Sequence, residues 1–259
     1  MPDESRRTNN ERPLESRCNE RLFQDLYRIY KWQKPQHNIR DVGRFKLRMD
    51  VNKTIMKSYS QNREDLFIAN YFGDFKGTLL DIGANDGTTF SNSRLLIEKG
   101  WSAHLLEPGI AAFLKLADLY ADSWHATIHR VGIGERDEVV TFYESGAHVK
   151  NGKDIGLVST AIGSETNRWR KSGVHFDETQ VKLLTWQSFY KRCDECTFEF
   201  ISIDAEGYDW KILQQIDLKD TKVLCIEWNS DPNLLAKYTN YCKGFKPAVK
   251  NAENLIFVR

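Results

Sequence analysis

Thr78-Leu79-Leu80-Asp81-Ile82-Gly83-Ala84-Asn85-Asp86-Gly87 is the stretch on which the fold turns. Thr78 to Ile82 reads as a short apolar strand closed by Gly83, with one carboxylate, Asp81, at its tip. Gly83 and Gly87 let the backbone turn sharply and let a ligand approach closely. In an open α/β sheet, ligands bind outside the carboxyl ends of the strands, where the strand order reverses. A dinucleotide fingerprint wants G-x-G-x-x-G, and Asn85 stands where the second glycine belongs. No P-loop pattern is present. The turn therefore suits something other than a pyrophosphate. A zwitterionic amino-acid moiety fits, because its ammonium can pair with Asp81 directly or through water.

On either side of this turn, strands and helices alternate. Helical patterns cover Asn62 to Phe72, Ser91 to Lys99, Ile110 to Tyr120, Tyr208 to Ile216 and Leu234 to Tyr241. Strand patterns cover Ala103 to Leu106, Ala126 to Ile133, Val139 to Tyr143, Phe198 to Ile203 and Lys222 to Trp228. Phe245 to Val249 and Leu255 to Val258 read as a closing antiparallel hairpin. Such alternation predicts βαβ units, hence a mostly parallel sheet with helices on both faces. Glu144 to Asp177 interrupts the pattern with a segment rich in Gly, Ser, Lys and Arg. Long irregular stretches in compact domains are usually functional, so residues 145–177 are expected to border the acceptor site and to be mobile.

Composition excludes several classes. The 259 residues hold 37 Lys and Arg against 36 Asp and Glu, a net charge of +1. A dedicated nucleic-acid binder would be clearly basic. No apolar run approaches the length of a membrane span. The N-terminus has no apolar stretch behind Arg6 and Arg7, so a secretory signal is not expected. Five scattered cysteines, an odd number, read as reduced thiols in a cytoplasmic protein. Cys193-Asp194-Glu195-Cys196 is a single C-x-x-C without a second pair at zinc spacing, which argues against a structural zinc site. Residues 1–60 carry 14 basic against 8 acidic residues, so the excess of positive charge is local. The first 17 or so residues are polar and expected to be poorly ordered. Leu22, Phe23, Leu26, Ile29 and Tyr30 then fall at helical spacing. Residues 1–57 are thus expected to be an extension with one amphipathic helix, and 58–259 the main domain.

A second strand end, His104-Leu105-Leu106-Glu107-Pro108, places Glu107 26 residues after Asp81. An acidic residue there, at the tip of the neighbouring strand, is placed to accept hydrogen bonds from a ribose diol. A glycine-rich turn, an acidic second tip and no phosphate clamp together describe S-adenosylmethionine. The bland alternative makes Asp81 a helix cap and Glu107 a surface carboxylate.

Ser60-Gln61-Asn62-Arg63-Glu64-Asp65-Leu66-Phe67, then LLDIGANDG, SNS at 91–93, GW at 100–101, LLEP at 105–108 and FISIDAEGYD at 200–209 resemble the FkbM family of methyltransferases. The likeness runs from about Ser60 to Arg259. It implies a class I, Rossmann-like methyltransferase fold using S-adenosylmethionine, often to methylate sugar or other alcohol hydroxyls. With that cofactor, Asp81, Gly83, Asn85, Gly87 and Glu107 are its expected contacts, and the backbone around Gly132 is expected near the adenine.

Methyl transfer from a sulfonium needs in-line attack by a lone pair. An alcohol is a poor nucleophile until its proton leaves, so a base or a metal is required. The strand Phe198 to Ile203 delivers Asp204 at its tip, with Glu206 two residues on; these are the catalytic candidates. The next tip brings Glu227 and Asn229. Asp204, Glu227 and Asn229 also offer the oxygen donors that a Mg²⁺-like cation takes. The plain alternative for Glu206 is an ion pair with a nearby Arg or Lys, or a helix cap. His148 and His175 are reserve bases in the irregular segment. Trp169, flanked by Arg168, Arg170 and Lys171, is placed to stack on a sugar face, to meet an anionic substrate, or simply to pack. The expected activity is O-methylation of a glycan or glycosylated small molecule, without nucleic-acid or membrane partners. The alternatives are a non-catalytic interaction module on the same fold and a nucleotide-sugar or NAD enzyme.

Overall fold

The computed structural model describes residues 57–147 and 155–259. The predicted helix over residues 22–30, and His148, lie outside the described residues. The helices are α1 (Glu64–Phe72), α2 (Arg94–Glu98), α3 (Ile110–Leu119), α4 (Thr166–Arg170), α5 (Trp186–Arg192), α6 (Asp209–Leu213) and α7 (Pro232–Tyr241). The strands are β1 (Thr78–Ile82), β2 (Ser102–Leu106), β3 (Ala126–His129), β4 (Gly132–Ile133), β5 (Glu138–Ser145), β6 (Phe176–Leu184), β7 (Phe200–Ile203), β8 (Val223–Glu227), β9 (Lys246–Lys250) and β10 (Asn254–Val258).

Seven strands form the main sheet in the order β3-β2-β1-β7-β8-β10-β9. The first five are parallel, and β10 and β9 return antiparallel as the closing hairpin. The central strands read as continuous apolar runs because both faces are covered. Leu80, Ile82, Ile201, Ile203, Leu224 and Ile226 enter the core on one face. Leu79, Ala103, Leu105, Phe200, Val223 and Cys225 enter the core on the other.

The chain leaves β1 outward through β2 and β3, then comes back to lay β7 on the opposite side of β1. The strand order therefore reverses at the tips of β1 and β7, and a crevice opens there. This is the mostly parallel Rossmann-like architecture that the alternation predicted.

Two departures bear on the site. The expected strand Ala126–Ile133 breaks into β3 and β4, and β4 belongs to a second sheet of order β4-β6-β5. The irregular segment is also shorter than expected, because β6 begins at Phe176 and pairs antiparallel with the whole of β5. A short helix, α4, lies between them. In β6 the buried Val181 and Leu183 flank the exposed Lys182, the only stretch of that strand with a clear alternation. Helix α5 carried its own signal: Thr185 caps it, its side chain accepting from the Ser188 N–H at 3.2 Å.

Candidate active site

A cavity of about 390 Å³ opens at the reversal point. The tips of β1, β2, β7 and β8 bring Asp81, Glu107, Asp204, Glu206 and Glu227 to it, and Glu253 joins from the loop before β10. No Lys, Arg or His is among the described residues that line it. Val131, Ile133, Phe142, Leu183 and Pro108 form an apolar wall beside Gly132.

Gly83 makes the first turn sterically feasible. Its φ is +90°, and a Cβ there would stand 1.7 Å from the Asp204 carbonyl oxygen. The β1 and β7 turns thus touch backbone to backbone, and only glycine allows it. Asn85 lines the cavity in the left-handed region with φ +48°. Gly87, by contrast, does not line the cavity. A Cβ there would meet the Leu116, Leu119 and Tyr120 side chains, so this glycine lets the turn pack against α3.

Asp81 is buried, and its Oδ2 accepts from the Ser93 hydroxyl at 2.5 Å. Burial pushes its pKa up to about 6. Glu107 is also buried. One of its oxygens accepts from the Asn85 N–H at 3.0 Å and the other from the Gly109 N–H at 2.7 Å. These bonds pin the carboxylate between the two turns and leave each oxygen a further lone pair. Burial pushes its pKa up to about 8. Neither acid is a surface carboxylate, and Asp81 bonds a side chain rather than a helix N–H.

Asp204, Glu206 and Glu227 offer carboxylate oxygens that all lie within 4.8 Å of one another. Burial, then the charge of Asp209, pushes the Asp204 pKa up to about 8. Burial and then Asp204 hold the Glu206 carboxyl well above its ordinary range, and Glu227 is raised likewise. Arg168 reaches Glu206 at 3.7 Å, the ion pair anticipated as the plain alternative, though the Arg168 side chain is about half exposed. Asp209 is a residue that the sequence reading passed over. It is buried, and its two oxygens accept from the Ala205 N–H at 2.8 Å and the Gly207 N–H at 3.1 Å. It thereby fixes the turn that carries Asp204 and Glu206. Its signal was present: an acid in the first turn of a helix, close after a glycine, is a helix-start signal.

Asn92 is the second residue passed over. It is buried and lines the cavity, yet its Oδ1 has no hydrogen-bond partner among the described residues. An orphaned buried acceptor costs stability unless something supplies a donor. Of the segment before β6, Gly156, Leu157, Val158, Ser159, Ala161 and Trp169 line the cavity. The Thr160 hydroxyl donates to the Glu206 carbonyl at 2.9 Å, tying segment to turn. His175 is exposed and faces Asp177 at 3.0 Å, away from the cavity, so it is not placed as a base.

Residues 81–242 match the model of the methyltransferase FkbM domain. The chain belongs to the FkbM methyltransferase family. S-adenosylmethionine is the cofactor expected of FkbM methyltransferases. The fold is similar to that of methyltransferase FkbM from Methylobacillus flagellatus KT, at 13% identity and a TM-score of 0.47. That match covers 71% of this chain but 44% of the other, so the chain spans less than half of that relative. It is also similar to ribosomal protein L11 methylase from Lactobacillus delbrueckii subsp. bulgaricus, at 10% identity and a TM-score of 0.41 over 76% of this chain and 77% of that one. Precorrin-6y C5,15-methyltransferase from Geobacter metallireducens GS-15 matches at 9% identity and a TM-score of 0.40, over 81% of this chain and 95% of that one. No curated protein matches the sequence.

The FkbM cavity fits the cofactor on its own chemistry. S-adenosylmethionine brings an ammonium, a sulfonium, a ribose diol and an apolar-faced adenine. The cavity offers carboxylates without a lining cation, the orphaned Asn92 acceptor, the pinned Glu107 and an apolar wall at Gly132.

Proposed function

We propose that this chain is an S-adenosylmethionine-dependent O-methyltransferase whose acceptor is a hydroxyl of a glycan or glycosylated small molecule. The observation that carries this reading is the charge of the cavity: six carboxylates line it, no described Lys, Arg or His does, and the described cation in reach is the half-exposed Arg168, 3.7 Å from Glu206. Such a lining attracts a cationic cofactor and repels pyrophosphates, which disfavours an NAD or nucleotide-sugar enzyme. It disfavours a nucleic-acid acceptor for the same reason, since phosphate binding needs Lys or Arg.

Glu107 is assigned to the ribose diol, and Asp81 with Asn92 to the amino-acid end. Asn85 shapes the turn, and the backbone at Gly132 with its apolar neighbours takes the adenine. Gly87 serves through packing. When bound, S-adenosylmethionine supplies an electrophilic methyl. The acceptor must then lose its hydroxyl proton, and a carboxylate with a raised pKa is a better base than an ordinary one. Asp204 and Glu206 are assigned that role. Glu227 completes a set of oxygens of the kind that a Mg²⁺-like cation takes, with Asn229 beside it on the cavity wall. The free thiols at Cys193, Cys196, Cys225 and Cys242 agree with a reducing, cytoplasmic setting. We assign residues 58–259 to the methyltransferase domain and residues 1–57 to an N-terminal extension.

Asp204→Asn and Glu206→Gln keep shape and remove charge. In an acceptor screen with radiolabelled methyl donor, at least one should lower turnover by about 10²–10⁴, the scale of general-base assistance. Cofactor affinity by calorimetry should stay within a few-fold. If chelators abolish turnover and Mg²⁺ restores it, Asp204 and Glu227 are metal ligands instead. If both amide variants turn over normally, neither carboxylate is the base.

A further inference from the structure

Cys193 and Cys196 have company that the sequence did not show. His104 on β2 and His129 on β3 stand side by side, with Nδ1 of the first 3.1 Å from Nε2 of the second and the rings nearly coplanar at 10°. The free edge of His104 faces the dithiol: its Nε2 lies 3.8 Å from the Cys196 Sγ. Phe189 and Phe198 box the two imidazoles edge-on. None of these residues lines the cavity.

The turn that joins the cysteines is built tightly. Asp194 and Glu195 both take left-handed φ, +52° and +55°. The Cys196 N–H donates back to the Cys193 carbonyl at 3.2 Å, closing the C-x-x-C turn on itself. Cys193 is buried at the end of α5, and Cys196 is part-exposed. The Cys193 thiol donates to the Tyr190 carbonyl at 3.2 Å. A bond from Cys193, then His104, holds the Cys196 pKa down near 5, while the Cys193 thiol is raised. Burial and His104 hold the neighbouring His129 down near 4, so it stays neutral. Arg192 and the acids Asp194 and Glu195 are the other charged groups near by in the chain.

We propose that Cys193 and Cys196 are an oxidant-responsive dithiol, with Cys196 as the attacking thiolate, Cys193 as the resolving thiol and His104 as the group that positions the thiolate. The oxidant is a hydroperoxide. The Cys196 thiolate attacks the terminal peroxide oxygen and the O–O bond breaks. This gives a sulfenic acid and an alkoxide or hydroxide that takes a proton from solvent. The Cys193 sulfur then attacks the sulfenic sulfur, the S–S bond forms, and water leaves with the Cys193 proton. The two thiols lose two electrons and the peroxide gains them. Low-pKa, accessible thiols beside a resolving partner are the ones that oxidise in this way. A shared metal is the weaker reading. Among the described residues, three donor atoms close enough to hold an ion occur together only at Asp204, Glu206 and Glu227.

The test uses the full chain, hydrogen peroxide and peptide-level mass spectrometry. The peptide with Cys193 and Cys196 should lose two hydrogens while Cys225 and Cys242 stay reduced. Cys193→Ser should stop at a sulfenic acid that dimedone traps, and Cys196→Ser should not react. A variant-free arm follows alkylation of Cys196 against pH. Its rate should hold from pH 8 down to about pH 6, where an ordinary thiol of pKa ~8.5 would slow roughly a hundredfold. His104→Gln should move that fall to higher pH, which a purely structural role would not do. Ordinary pH dependence at Cys196, earlier oxidation of Cys225 or Cys242, or stoichiometric zinc held by Cys193 would each overturn the proposal.

Discussion

At the scale of single residues, the site is set by what a position forbids as much as by what it offers. Gly83 and Gly87 looked alike in the sequence, two glycines of one turn. The structure separates them. A Cβ at Gly83 meets the Asp204 backbone at 1.7 Å, whereas at Gly87 it meets the ends of Leu116 and Leu119, which can move. Gly83→Ala should therefore cost about 3 kcal/mol or more and Gly87→Ala about 1–2 kcal/mol, as measured by denaturant unfolding. Equal losses would mean that the β1–β7 contact is not what demands glycine. Asn92 gives a prediction of the opposite kind. Its Oδ1 bonds nothing among the described residues and its Nδ2 makes only a long bond, 3.4 Å, to the Ser202 hydroxyl, so Asn92→Ala should cost the free protein no more than about 1 kcal/mol. If that oxygen receives the cofactor ammonium, affinity for S-adenosylhomocysteine should fall by roughly 1–3 kcal/mol. A large stability loss with unchanged affinity would assign Asn92 to the scaffold. The acids at the strand tips were legible because a charge ending an apolar run needs a reason. Asn92 was not, because an orphaned acceptor is a property of surroundings.

At the scale of elements, the alternation of apolar runs and helical patterns revealed the main sheet. The strands β1, β2, β7 and β8 came through within a residue or two, since a strand covered on both faces is a mostly apolar run. Of the second sheet, β5 came through and β6 did not. Phe176 to Leu184 interleaves Asp, Glu, Thr, Gln and Lys with its few apolar residues, so one wet face masked the strand. The consequence is functional. With β5 and β6 paired, residues 156–159, Ala161 and Trp169 of the segment between them lie against the cavity. Thr160 fastens it to the Glu206 carbonyl, and Trp169 contributes to the wall. If this segment serves the acceptor, Thr160→Val and Trp169→Ala should lower kcat/KM for the acceptor by about tenfold or more, at the ~1.4 kcal/mol that a lost contact is worth. The cofactor dissociation constant should stay within a few-fold. Parallel losses in acceptor use and cofactor binding would place the segment on the cofactor instead.

At the scale of the whole molecule, a net charge of +1 conceals a cavity lined by six carboxylates, because a sum over the chain does not record where charges meet. That concentration has a cost in the free protein. Glu107 is raised to about 8, Asp204 to about 8 and Asp81 to about 6, each first by burial, and Glu206 and Glu227 are raised as well. In the unfolded chain these acids ionise near pH 4. Between that pH and about 8 the native state therefore binds more protons than the unfolded one, and stability falls as pH rises. Glu64 and Asp137 are lowered instead, and their contribution is complete above the ordinary carboxylate range. His129, held near 4, adds stability as pH rises to about 6.5 and nothing beyond it. Cys196, held near 5, opposes the trend between about 5 and 9, but it is one group against several. In the window from pH 6.5 to 8 the cavity acids thus set the trend, with Cys196 as the group that opposes them. Each net proton released there should lower Tm by roughly 3–6 °C per pH unit. S-adenosylhomocysteine, whose ammonium favours the ionised acids, should flatten that slope and bind more tightly at pH 8 than at pH 6.5. Melting curves at several pH values, with and without it, check both statements. A Tm that rises through this window in the free protein would mean that the acids are already ionised and paired, and the cation-seeking character of the cavity would go with it.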